Sequence, residues 1–338
     1  MTLTARFFAM WEHRLARAHG DVKQPEPFSF GCDELGISPD GDPLGVLKSR
    51  AAAMVRSSHE ILAVEAPPAV TENADGLLEF RSRVGGRSCN EVVRVWYRPS
   101  EPCSGVVLIV PHWNAPRQSL LAMAKIANLN RYACAVVSLP YHDERRPPED
   151  TYAKGLVNAN LGLTLASVLQ GASDVIDTVS ILLDRGHSRV VLMGFSIGSC
   201  VASLVDAHDP RVEAVLLHLM AGDFAGCVWD GISTVHIRSA LEPNITLEDL
   251  AEVWAPISPE SYVSSLTRMS RRRRFILSAR YDLTFPRPVV TRYRDALNAA
   301  GVPHEWRDWP CGHYTLGRLP FSIMLAWKVN RILSSLRS

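Results

Sequence analysis

Arg189-Val190-Val191-Leu192-Met193-Gly194-Phe195-Ser196-Ile197-Gly198 is the stretch on which the reading of this chain turns. The run from Arg189 to Met193 is short and rich in β-branched residues, which predicts a buried strand. After it, Ile197, Val201, Leu204 and Val205 recur at helical spacing. Between the two lies G-x-S-x-G. In a strand-turn-helix setting this pattern puts the serine on a tight, strained turn with its Oγ raised above the sheet. The glycines leave the gap between strand and helix free of side chains. The flanking elements, more than the pentapeptide itself, make Ser196 a candidate nucleophile. The competing reading is a plain strand-to-helix turn.

Composition narrows the remaining classes. The chain has 338 residues, 47% hydrophobic and 21% charged, enough for one large core or one domain with an extension. A formal net charge of +1 gives no reason to expect a nucleic-acid partner. No apolar run is long enough to span a bilayer. The seven cysteines are irregularly spaced without C-x-x-C, which argues against a disulfide framework and a zinc site and makes the cytoplasm the default location. No metal or cofactor motif is present. Met1 to Gly20 mixes Phe7, Phe8, Met10, Trp11 and Leu15 with Arg6, Glu12, His13, Arg14 and Arg17. These charges interrupt any signal-peptide core. An amphipathic helix on the body, or on a second subunit as a homodimer arm, is expected, with a membrane-surface helix as the alternative.

Along the chain, residues 1–102 read as a helical leader followed by antiparallel strands. Pro25 to Pro43 is loop-like, and Leu44 to Val64 helical. Gly76–Val84 and Glu91–Tyr97 form a strand pair around Gly85-Gly86. Residues 103–338 alternate strand and helix. Strands are expected over 106–110, 135–139, 189–193, 212–217, 275–279 and 304–307, and helices over 118–129, 157–185, 287–300 and 320–336. That rhythm predicts an α/β fold with a mostly parallel sheet covered by helices on both faces. Residues 222–271 break it. With Trp229, Trp254 and several prolines, they read as a cap inserted over the carboxyl ends of the strands, where ligands of open α/β sheets bind; an ordinary long connection is the alternative. Arg271-Arg272-Arg273-Arg274 reads as a solvated turn.

A serine hydroxyl needs a base within hydrogen-bond reach, and the base needs an acid to orient it. Of eleven histidines, His313 sits best, between the last strand and the closing helix. Asp282, just past the strand at 275–279, is the expected acid, and Asp223 its rival. The order Ser196, Asp282, His313 is the one such folds use. Two N–H donors must hold a developing oxyanion. Ile197, following the serine, supplies one. Trp113, in the loop Pro111-His112-Trp113-Asn114, is the choice for the other, with His112 next. The motif H-G-G-G often found there is absent.

Taken together, these residues resemble the α/β-hydrolase superfamily over roughly Cys103 to Arg337. The resemblance implies a sheet of about eight strands, with Ser196 as nucleophile, Asp282 as acid and His313 as base. Leu139-Pro140-Tyr141-His142-Asp143-Glu144-Arg145-Arg146-Pro147 is similar to a Tyr-x-x-x-Arg-Arg-Pro signature after the fourth strand, reminiscent of the abhydrolase-domain-eighteen type. His112, Tyr141, Arg145, Arg146 and Trp229 are candidate substrate-binding residues. The two arginines either bind a substrate carboxylate or phosphate, or pair with Asp143, Glu144 or the leader. Trp309 and the tryptophans of the cap suggest an apolar acyl or alcohol pocket. The expected activity is cofactor-free cleavage of a small carboxylic ester through an acyl-enzyme. Thioesterase, amidase or peptidase and acyltransferase chemistry use the same residues, and a non-hydrolytic lyase or ligand-binding protein is the alternative of a different class.

Overall fold

In the computed structural model, which describes residues 2–337 apart from 21, 22, 24, 39, 40 and 86, the Val190 run is an interior strand of a nine-stranded sheet. The strands are β1 (Thr71–Glu72), β2 (Leu77–Arg81), β3 (Val92–Arg98), β4 (Val106–Val110), β5 (Ala133–Val137), β6 (Val190–Phe195), β7 (Val212–His218), β8 (Arg273–Ala279) and β9 (Glu305–Trp309). Their spatial order is β1-β2-β3-β5-β4-β6-β7-β8-β9. From β5 to β9 every neighbouring pair is parallel, while β1, β2 and β3 join antiparallel. Every residue of β4 and β5 is buried, as their unbroken apolar sequences require when helices cover both faces. The sheet has one strand more than about eight, because the two-residue β1 is too short to leave a periodic signal. Of the expected Gly85-Gly86 connection, residue 86 lies outside the described residues, as do residues 39 and 40 of the expected loop.

Twelve helices complete the described chain: α1 (Leu3–Ala18), α2 (Pro43–Arg56), α3 (Ser58–Ile61), α4 (Leu121–Leu129), α5 (Leu161–Asp184), α6 (Ile197–His208), α7 (Phe224–Asp230), α8 (Val235–Leu241), α9 (Leu247–Val253), α10 (Val263–Thr267), α11 (Arg287–Ala299) and α12 (Phe321–Arg337). On one face, Ile109, Val136, Met193 and Leu216 pack with Phe8 of α1, Ala124 of α4 and Val329 of α12. On the other, Leu108, Val110, Leu192 and Val215 pack with residues of α2, α5, α6 and α11. Helix α5 is long and apolar enough to cross a membrane, but 94% of its most apolar window is buried among these elements. It is the core helix against which the sheet packs.

The boundary at 102/103 marks no break in packing. Leu47, Met54, Phe80 and Val93 from before it share a core with β4 and α5, and α1 folds back onto its own chain. Residues 222–271 form α7 to α10 and short 3-10 turns between β7 and β8. Trp254 is wholly buried there, its Nε1 donating to Leu161 O at 3.1 Å. Lys48 of α2 pins α9 from outside through Asp249 at 2.6 Å and Glu252 at 3.1 Å.

The four-arginine run corrects the sequence reading. Arg272 and Arg274 are buried, and both bind Asp206 of α6, at 2.6 and 2.7 Å. Strand β8 begins at Arg273, so the arginines on either side of it point inward, where one buried carboxylate pairs with both. Only Arg271 and Arg273 are exposed.

Candidate active site

Strand β6 ends at Phe195 and α6 starts at Ile197, which leaves Ser196 alone in the turn at φ 53° and ψ −120°. A side chain rarely adopts this conformation, and it costs on the order of 1–3 kcal/mol. It persists because the surroundings enforce it. Ser196 N–H donates to His218 O at 2.9 Å, and Ser199 Oγ to the same carbonyl at 2.8 Å. A Cβ on Gly198 would collide with the backbone of Val110 and Pro111, and one on Gly194 with the first turn of α6.

Past the carboxyl ends of β8 and β9, two loops meet above this elbow. They are tied to each other, Arg280 N–H donating to Trp309 O at 2.8 Å and Tyr281 N–H to Cys311 O at 2.9 Å. One loop carries Asp282, the other His313. Ser196 Oγ donates to His313 Nε2 at 2.9 Å, and His313 Nδ1–H to Asp282 Oδ2 at 2.8 Å. The second carboxylate oxygen accepts from Thr284 N–H at 2.8 Å and Phe285 N–H at 2.7 Å. Asp282 is thus buried with both oxygens satisfied, as an ionised carboxylate must be. The rival Asp223 is engaged elsewhere. It caps α7 through Gly226 N–H at 3.0 Å and pairs with Arg292 at 2.5 Å.

Glu12 of α1 completes the support of the histidine loop. Its side chain is fully buried, and its oxygens accept from Tyr314 N–H at 3.1 Å and Thr315 N–H at 3.0 Å. A Cβ on Gly312 would overlap the Glu12 carboxyl group, so the loop needs glycine there. Burial raises the Glu12 pKa against the lowering effect of those bonds. Phe8, one turn earlier, stacks on Tyr281 with centroids 4.6 Å apart. One helix of the leader therefore clamps both loops. In the sequence Glu12 stands only as one of the charges that interrupt an apolar run; a single acidic residue among the arginines of α1 is the one signal of its role.

On the other side of Ser196, the loop after β4 is held rigid. Asn114 sits at φ 59°, its N–H donating to His142 Nε2 at 3.0 Å and its Oδ1 accepting from Ala153 N–H at 2.7 Å. Trp113 Nε1 donates to Ala153 O at 2.9 Å. Burial pushes the His142 pKa down to about 4, so the ring stays neutral, with Nδ1–H donating to Pro140 O at 3.0 Å. Among the described residues, the backbone N–H groups of Trp113 and Ile197 make no hydrogen bond within the protein.

A cavity of about 60 Å³ opens beside Ser196, walled by Trp113, Val157, Ile197, Phe224, Val228 and Phe285. Cys200 and Cys227 also line it, and burial raises both thiol pKa values, which leaves them neutral and inert. The buried Thr284 hydroxyl faces it with no hydrogen-bond partner. Ser196 and both expected oxyanion donors, Ile197 and Trp113, line this cavity, and none of the five substrate-binding candidates does. Arg145 is wholly buried, bound to Asp174 of α5 at 2.9 Å, Ser138 O at 2.7 Å and Asn90 O at 2.8 Å. It pairs with none of the partners foreseen and faces no cleft. Tyr141 is buried beside Asn90, Arg146 is exposed, and His112 binds the Trp113 carbonyl at 2.9 Å. Trp229 lies under the Arg238 guanidinium at 5.8 Å, and Trp309 packs toward α12. Among the described residues, no group of His, Cys, Asp and Glu is arranged to hold a metal.

No protein-family model matches the chain, and no curated protein does. Solved structures do. Acylaminoacyl peptidase of Pyrococcus horikoshii superposes with a TM-score of 0.56 at 12% identity, over 81% of this chain and 41% of that one. The chain thus spans less than half of the peptidase. An esterase of Pyrococcus furiosus aligns at 0.53 and 11% identity, over 94% of this chain and 99% of its own. Acetyl xylan esterase 1 of Thermoanaerobacterium sp. JW/SL YS485 aligns at 0.55 and 15%, over 88% and 95%. Strand order, elbow and shared architecture lead to one conclusion: the chain has the α/β-hydrolase fold.

Proposed function

We propose that the protein is a serine hydrolase that cleaves carboxylic esters of short acyl chain. The observation that carries this reading is the continuous hydrogen-bonded line from Ser196 Oγ through His313 to Asp282, at 2.9 and 2.8 Å, on an elbow strained at φ 53°. Ser196 Oγ attacks the ester carbonyl as His313 Nε2 takes its proton. Asp282 holds the ring in the tautomer that leaves Nε2 free to accept, and stabilises the imidazolium that forms. The Ile197 and Trp113 N–H groups receive the oxyanion, helped by the positive end of α6. His313 then protonates the departing alcohol, and water releases the acyl group by the reverse sequence.

The cavity sets the acyl length. At about 60 Å³ it is well below the roughly 150 Å³ cavity that holds benzene. A space of this size favours acetyl to butyryl groups over long alkyl chains. The test is a series of p-nitrophenyl esters of increasing chain length, with fluorophosphonate labelling in parallel. Turnover is expected to peak at short chains and to vanish together with labelling in Ser196→Ala. A natural protein that neither labels nor turns over any ester would overturn the reading.

A further inference from the structure

We propose that α1, α4 and α12 together form a face that docks on an anionic lipid surface. This goes beyond the hydrolase reading and does not depend on it. Helices α4 and α12 pack on each other over one side of the sheet, and α1 meets them at the start of α12, where the rings of Phe8 and Phe321 lie 6.2 Å apart. Eight of the ten large hydrophobic side chains exposed on the described surface belong to this layer or its margin. Leu3, Phe7 and Met10 are 86%, 53% and 67% exposed. Their spacing of i, i+4 and i+7 makes one stripe along α1. Ile323 and Trp327, 64% and 58% exposed, make a second along α12. Among the described residues, the other two exposed large hydrophobics are Val64 and Val235.

Charge identifies the occupant. The three helices hold one acidic residue, Glu12, and it is buried against the histidine loop. Their exposed cations are Arg6, Arg14 and Arg17 on α1, Lys125 on α4, and Arg331 and Arg337 on α12. The whole chain carries only +1, so this layer is basic far beyond the average of the molecule. A second copy of the same face would set cations against cations with no carboxylate to receive them. An anionic bilayer receives both features at once. Phenylalanine and tryptophan enter the headgroup boundary while arginine and lysine meet lipid phosphate. Arg331 lies over the Trp327 ring at 4.8 Å, so cation and aromatic already share one spot.

The experiment is flotation of the full chain with phosphatidylcholine vesicles, with and without about one-third phosphatidylglycerol. We expect binding to the anionic vesicles at low salt, at least about tenfold weaker on phosphatidylcholine alone and weakened by added salt. The double variant Phe7→Glu/Trp327→Glu, altered only at exposed positions, should lose it. Unchanged thermal unfolding and fluorophosphonate labelling of that variant would show the fold and elbow intact. Arg14→Glu should weaken binding with the hydrophobic stripe left whole. Equal binding to both vesicle types, no binding to either, or unaltered binding by the double variant would overturn the proposal. So would a wild-type dimer in solution that the double variant converts to monomer, since a second copy would then cover the face.

Discussion

Strand β8 carries a buried charge cluster at each of its ends, and the two are built differently. At its start, Arg274 and the neighbouring Arg272 close around Asp206, and every oxygen of that carboxylate meets a guanidinium. Arg272 spends its remaining donors on the carbonyls of Asp206, Asp209 and Val212. Past the other end, Asp282 is equally well satisfied, but the group it serves is not closed off. His313 reaches Ser196, and Ser196 faces a cavity. A cluster in which the carboxylate oxygens and the guanidinium nitrogens are all taken holds the fold and has no capacity left. A line of polar groups with one end open to a cavity can pass a proton. Both are buried, so burial alone separates nothing; the open end does.

Five substitutions test this contrast, in decreasing order of effect. Ser196→Ala removes the open end and should cut kcat on short-chain esters by about a millionfold, with the unfolding midpoint in urea nearly unchanged. His313→Ala should fall as far, and the double variant scarcely further. A substantial residual rate in either single variant would break the proposed assignment. Asp206→Ala strands two buried guanidinium groups and should cost about 3–5 kcal/mol of stability. A loss below about 1 kcal/mol by urea titration would mean that the closed cluster is no strut.

Glu12→Gln lies between the two kinds of effect. It leaves one oxygen to accept and turns the other into a donor facing a backbone N–H. Loss of that bond, on the order of 1–3 kcal/mol, should loosen the histidine loop and slow ester turnover about tenfold or more, measured as kcat. Turnover at the wild-type rate would show that the loop holds without α1. The smallest effect concerns a residue kept neutral. His218 is buried under Phe195, with ring centroids 4.7 Å apart, and burial lowers its pKa to about 4. The folded pKa lies below the unfolded one. Between about pH 6.5 and 4 the unfolded chain therefore takes up a proton that the folded chain refuses, and stability falls as pH falls. From pH 6.5 to 5.5 this amounts to about 1 kcal/mol. His218→Asn should flatten the fall in urea midpoint over that interval by about this amount; an identical slope would sink the prediction.

Much of the frame was legible because it is written in local pattern. Val106–Val110 and the Arg189 run are unbroken apolar strands, and the Leu161 helix keeps its apolar residues all round because it is buried on nearly every side. The expected strand 135–139 lies two residues later than the observed Ala133–Val137, because Leu139 carries the apolar pattern past the last pairing with β4. Ser196, Asp282 and His313 were nominated from their positions just past strand ends. The structure brings these three into hydrogen-bond contact. The substrate-binding nominations fared differently, since loops carry no periodicity. Arg145 turned inward to Asp174, and Trp229 and Trp309 lie away from the cavity. The buried arginines escaped notice because a run of four cations reads as solvent-facing unless its inward partner, Asp206, is known.

By itself, the order of apolar and polar residues determined that this chain builds a parallel sheet under helices and lifts a serine out of it. Those are consequences of neighbours within a few residues of one another. Tertiary structure alone decided that Glu12 reaches across some three hundred residues to hold the loop of His313, that Arg272 and Arg274 close on one aspartate, and that the layer of α1, α4 and α12 gathers cations and bare aromatics on one side. The reason is that a buried charge is tolerated only where its partner arrives, and no local pattern records the arrival.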